Sequence, residues 1–240
     1  MDAARPGHFD TGMDRVPKVR LEIRSGYYRH EVRREESWPP SSVQPVLLYL
    51  CANTSTLQRE PVASEGKVQY QPASRESRAV FSCRFERPIE LIGSMQLKLW
   101  VSAPEGDDLD LFVVLRKLDS SGSEVFFSGY NGYEHDGFAK GWLRASHREL
   151  DPLRSTPLRP WHSHARIHKI RAGDVVPLEI EVWPSATLFE AETSLQLTIQ
   201  GHDAARYPAF GHRRLVNRGW HTIFTGGPYD SYLTVPWNKI

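Results

Sequence analysis

Three groups of residues in this sequence have types and spacings that could do chemistry. Asp107, Asp108 and Asp110 place three carboxylates within four positions, a density that suits calcium in the oxygen-rich loops of sandwich domains. His162, His164 and His168 in HSHARIH have the spacing of zinc ligands, because residues i and i+2 of a strand share a face. Trp142, Trp161 and Trp220, together with Trp38, could form a platform on which a sugar stacks. Each group also has a structural reading. The acids need carbonyl partners to complete a calcium shell, the histidines lie on a proline-flanked stretch with no cysteine nearby, and tryptophans commonly fill β-sandwich cores. No cofactor is expected.

Asp110 carries the sharper expectation. It opens the apolar run Leu111–Leu115, and a carboxylate beside such a run must be paired when it is buried. Arg144 and Arg148 lie on a segment able to neighbour it, so a hydrogen-bonded ion pair is expected there. Nucleophilic chemistry has little support, because no serine stands in the G-x-S-x-G pattern of an α/β-hydrolase elbow. The run Gly226-Gly227-Pro228 precedes a strand, and its proline removes a donor amide, so it is no phosphate loop. An independent enzyme would have to rely on loop groups such as His135, Asp136 and His147.

The composition limits the partners. At 240 residues and 40% hydrophobic, the chain can bury a sizeable single core. Thirty basic against 29 acidic side chains leave a formal charge of +1, so no global field attracts nucleic acid or an anionic membrane. No apolar run reaches membrane-spanning length, and the first residues lack the apolar core of a signal peptide. A cytoplasmic protein is expected, with Cys51 and Cys83 reduced.

The elements that would position these groups read as strands. Met95, Leu97, Leu99 and Val101 alternate with polar residues, as in a strand with one face on a core. Leu111–Leu115 is continuous and needs cover on both faces. Between them the APEG turn breaks the pattern, and Asp119-Ser-Ser-Gly122 closes a hairpin with Glu124–Phe127. Alternation also marks 19–24, 79–85, 175–182 and 194–200, with shorter extended stretches at 28–34, 46–51, 141–148, 221–225 and 232–235. Residues 52–78 carry no strand signal, 149–173 read as a long loop, and PSATLFEAE has room for one helical turn at most. Residues 1–15 read as a connector and 16–240 as one all-β domain, a β-sandwich of jelly-roll type.

Four ordered blocks then carry a resemblance. They are PIELIGSMQLKLWVSAPEGDDLDLFVVLRKLDSSGSEVFFSG, GWLRASHREL, AGDVVPLEIEVWPSATLFEAETSLQLTIQGHD and HTIFTGGPYDSYLTVPW. With the opening PKVRLEIRSGYYRHEVRREESWPP, they resemble the C-terminal domain of the X-prolyl dipeptidyl peptidase and cocaine esterase hydrolase family. The resemblance implies a non-catalytic, galactose-binding-like jelly roll that packs on an α/β-hydrolase domain bearing the serine triad and helps wall its pocket. The parent enzymes cleave acyl esters, amides or X-proline peptides, and none of the triad positions has a counterpart here. The matching positions Asp108, Asp110, Arg144, Ser146 and Arg148 read as a framework holding strands together. Where relatives often carry glycine-histidine this chain has Glu192-Thr193, and residues 52–76 also depart, so neither stretch receives a role. The implied partner is the hydrolase domain, in the same polypeptide or from a neighbouring gene, and a homo-oligomer is compatible. The alternative is a free-standing carbohydrate-binding-like module.

Overall fold

The computed structural model describes residues 11–127, 137–204 and 211–240. Its strands are β1 (Val19–Gly26), β2 (Arg29–Glu35), β3 (Gln44–Cys51), β4 (Thr56–Gln58), β5 (Gly66–Tyr70), β6 (Ala79–Arg84) and β7 (Ile89–Ser102). They continue with β8 (Asp110–Leu118), β9 (Glu124–Val125), β10 (Ala139–Arg144), β11 (Val176–Phe189), β12 (Ser194–Gln200), β13 (His221–Thr225) and β14 (Tyr232–Lys239). Among the described residues only short 3-10 turns, at Met13–Arg15 and Ala145–His147, are helical, and no helix is long and apolar enough to cross a membrane.

The strands form one path, β10-β8-β12-β6-β4-β3-β14-β7-β11-β1-β2, with β13 bridging β5 and β7 and with β9 on β8. Most pairs are antiparallel; β4 meets β6 and β1 meets β11 in parallel. The path rolls up, so that β10 at one end lies against β11 near the other. The result is a two-layer β-sandwich, with β10-β8-β12-β6 facing β3-β14-β7-β11. Leu111, Val113, Leu115, Leu197 and Ile199 of one layer pack against Leu97, Leu99, Ile180, Val182 and Leu233 of the other in a single buried cluster. At roughly 2 kcal/mol for each fully buried Leu, Ile or Val, this interior is the main force holding the layers together. A smaller cluster of Leu21, Ile23 and Ile92 seats the β1–β2 hairpin.

The alternating 95–101 stretch and the continuous 111–115 run fall in opposite layers. The second face of β8 is covered by loops: the His212 ring lies 5.1 Å from Phe112. Gly137, at φ 72°, brings the backbone so close that a Cβ there would sit 2.5 Å from Leu115 O. Three expectations are corrected. PSATLFEAE forms no helical turn; β11 runs through it, and Pro184 falls where the β7 pairing shifts between Val182 and Ser185, a bulge that needs no ladder amide. The strand expected at 141–148 stops at Arg144 and passes into the 3-10 turn. Residues 52–78 contain β4 and β5, too short and too polar for periodicity to register. Cys51 and Cys83 are both free thiols.

Candidate functional site

Asp110 and Arg144 are cross-strand partners, the first residue of β8 opposite the last of β10. That register points the fork of the guanidinium at the carboxylate. Arg144 Nε donates to Oδ1 at 2.8 Å and Nη2 to Oδ2 at 3.0 Å, while Asp110 Oδ2 also accepts the Val216 amide at 2.8 Å. The paired carboxylate holds the Arg144 guanidinium above its ordinary pKa. Asp108 is buried next door, where its Oδ1 accepts the amides of Leu109 and Ser146 at 3.0 and 2.9 Å and its Oδ2 faces Lys169 Nζ at 3.3 Å.

Arg148 departs from the expected framework. It lies beyond the end of β10, at the close of the 3-10 turn, and Nη1 donates to the carbonyls of Ala145 and His168 rather than to an acid. The three acids of the calcium reading do not converge: Asp108 and Asp110 turn toward separate amide and cation partners, and Asp107 points to Lys169 at 3.4 Å. The zinc set is likewise divided. His168 Nε2 lies 3.6 Å from Glu149, whereas His164 Nδ1 faces His147 Nδ1 at 3.2 Å. His162 Nε2 donates to the Glu179 carbonyl at 2.9 Å. Burial holds the His162 imidazole below its ordinary pKa. Among the described residues no group of three His, Cys, Asp or Glu side chains is arranged to hold a metal ion.

Glu149 ties this loop down, accepting from Arg166 and, at 3.0 Å, from Ser163 Oγ. The Arg166 hydrogen bond is the main cause holding its carboxyl at about 2.

Between the end of β10 and the middle of β11 opens a cavity of about 450 Å³, lined by Trp142, Trp183, His147, His164, His212 and Arg213 among others. Gly141 makes it possible: a Cβ at that position would lie 2.1 Å from Glu181 O, so only glycine lets β10 approach β11 this closely. That approach sets Trp142 and Trp183 in a corner, with centroids 5.1 Å apart and planes at 64°. His212, held by Asp203 through Nδ1 at 2.8 Å, places its ring 5.1 Å from Trp142.

The three expected platform tryptophans do not come together. Trp161 packs between Arg154 and Arg159, with their guanidiniums 5.5 and 5.0 Å from its ring, and Trp220 is anchored through its amide to Glu105. Only Trp142 lines the cavity. Its partner Trp183 gave no periodic signal, since it follows the alternating part of β11 and stands directly before the bulge proline.

Among the described residues, the cavity lining offers stacking surfaces and N–H donors and holds no serine, threonine or cysteine. Among the described residues, no serine, threonine or cysteine side chain is hydrogen-bonded to a histidine ring. His135 and Asp136 lie outside the described residues, and His147 engages His164, so the independent-enzyme reading gains no constellation. A separate titratable group sits in the interior. His221 Nδ1 meets Tyr70 Oη at 3.1 Å, and burial pushes the imidazole down to about 4.

With this geometry the comparisons with known proteins agree. Residues 11–234 match the family of X-Pro dipeptidyl-peptidase C-terminal non-catalytic domains. The chain belongs to that family. A CocE/NonD family hydrolase from Staphylococcus aureus shares 36% identity with it at a TM-score of 0.93, over 96% of this chain and 43% of the hydrolase. Two structures at 14% identity share the fold: an aminopeptidase from a marine sediment Thaumarchaeota archaeon, at a TM-score of 0.66 over 93% of this chain and 41% of its own, and an α-amino acid ester hydrolase, at 0.61 over 87% and 39%. This family member thus spans less than half the length of the solved chains it matches. No curated protein sequence matches it.

Proposed function

We propose that this domain serves a CocE/NonD-type serine hydrolase, one that cleaves acyl esters or X-proline peptides, by packing against its α/β-hydrolase domain and helping to wall the substrate pocket. The observation that carries the reading is the 36% identity to the S. aureus hydrolase over 96% of this chain, which accounts for 43% of that enzyme. The test compares a G-x-S-x-G catalytic domain of the same hydrolase with and without this chain joined to it. The chain alone is expected to turn over no ester, and the joined form to exceed the catalytic domain alone by about tenfold in kcat/KM, about 1.4 kcal/mol of transition-state stabilisation. Equal activity with and without the chain would refute the accessory role. A second reading, a free-standing carbohydrate-binding-like module, draws on the Trp142–Trp183 corner and requires saturable glycan binding by the chain alone.

A further inference from the structure

The cavity between β10 and β11 holds groups, Trp142, Trp183, His212 and Arg213, that lie outside the hydrophobic core. We propose that it is a binding site for a small aromatic carboxylate. Its apolar part is a corner of two indoles with His212 as a third ring, and Trp142 and Trp183 are 39% and 50% exposed. A flat ring entering that corner stacks on one indole while meeting the other edge-on, the two arrangements aromatic pairs favour. Neither indole N–H has a hydrogen-bond acceptor among the described residues, so both remain able to donate.

One unpaired guanidinium at the cavity favours an acid. Arg144 is neutralised by Asp110, and Glu181 faces Arg159 at 3.6 Å. Arg213 has no acidic partner among the described residues, and it is exposed at the cavity edge. Asp203 is taken up by His212, so of the two arginines lining the cavity Arg213 is the one left without an acid, in a setting where a guanidinium can take a carboxylate through two parallel N–H donors. A neutral sugar would instead need free acceptors for its hydroxyls, and the acids here are already occupied. The volume of about 450 Å³ falls within the range of small-molecule pockets and accommodates a bicyclic acid.

The experiment is isothermal titration of the chain with 1-naphthoate, 1-naphthamide and galacturonate. Saturable single-site binding of 1-naphthoate is expected, with a Kd on the order of 100 µM. The uncharged naphthamide is expected to bind about tenfold more weakly, and galacturonate more weakly than naphthoate. Arg213→Gln should weaken naphthoate about tenfold without changing naphthamide, and Trp183→Ala should weaken both about tenfold. Both side chains are exposed, and unchanged melting of each variant confirms that it is folded. No saturable binding of naphthoate up to 10 mM, roughly a hundred times the expected Kd, would overturn the proposal. So would equal binding of acid and amide, indifference to both substitutions, or tighter binding of galacturonate. The titration requires no hydrolase, so a failed accessory role leaves its outcome intact.

Discussion

Asp110 is 6% exposed and shares its two oxygens between Arg144 and the Val216 amide. Removing one member of such a pair strands the other. Asp110→Ala should therefore lower unfolding stability in urea by about 3 kcal/mol, whereas the joint change Asp110→Leu with Arg144→Met should recover part of the loss. A loss equal in the single and double variants would show that the pair contributes through packing alone. His221 gives a pH dependence. Its folded pKa, about 4, lies below the ordinary imidazole value of 6.5, so the unfolded chain binds the extra proton between those limits. Its contribution is present above pH 6.5 and is lost as pH falls toward 4, up to about 3 kcal/mol. Stability measured across that window should be flatter in His221→Phe than in the unmodified chain; a slope just as steep in the variant would place the proton uptake elsewhere. Asp110 was legible from the sequence because a carboxylate beside a buried run demands a partner. The His221–Tyr70 contact was not, since its members lie on β13 and β5, far apart in sequence.

Among the elements, β10 and β11 decide the shape of the cavity, and Gly141 decides how near they come. Gly141→Ala would drive a methyl group into the Glu181 carbonyl, now 2.1 Å from where it would sit. The expected cost is about 3 kcal/mol, a fall in Tm of roughly 10 °C, with the Trp142–Trp183 contact opened. An unchanged Tm would mean that the two strands part without loss. Period-2 alternation disclosed β1, β6, β7 and β12, because each of them carries a run with its apolar side chains on one face and polar ones on the other. It reached only the first half of β11 and missed β4 and β5, where another rule governs. In β11 a proline sits in a bulge, and β4 and β5 are held by neighbouring strands rather than by their own hydrophobic pattern. The long loop after β10 contributed its histidines to the cavity, but which of them would meet depended on Glu149 and Arg166, whose pairing no local spacing reveals.

At the scale of the molecule, the sheet rolls around one large core, with a smaller cluster under the β1–β2 hairpin, the architecture of a member of the family of X-Pro dipeptidyl-peptidase C-terminal non-catalytic domains. The fold class followed from composition and periodicity, and the family from four ordered blocks of sequence. What the chain packs against could not follow from either, because a partner's surface is not written in this one. The most direct measurement is ester turnover by the chain alone, by the catalytic G-x-S-x-G domain alone and by the two joined. The account expects no turnover by the chain and a gain of about tenfold on joining. Turnover by the chain alone that disappears in His147→Ala, or a catalytic domain indifferent to its presence, would contradict it.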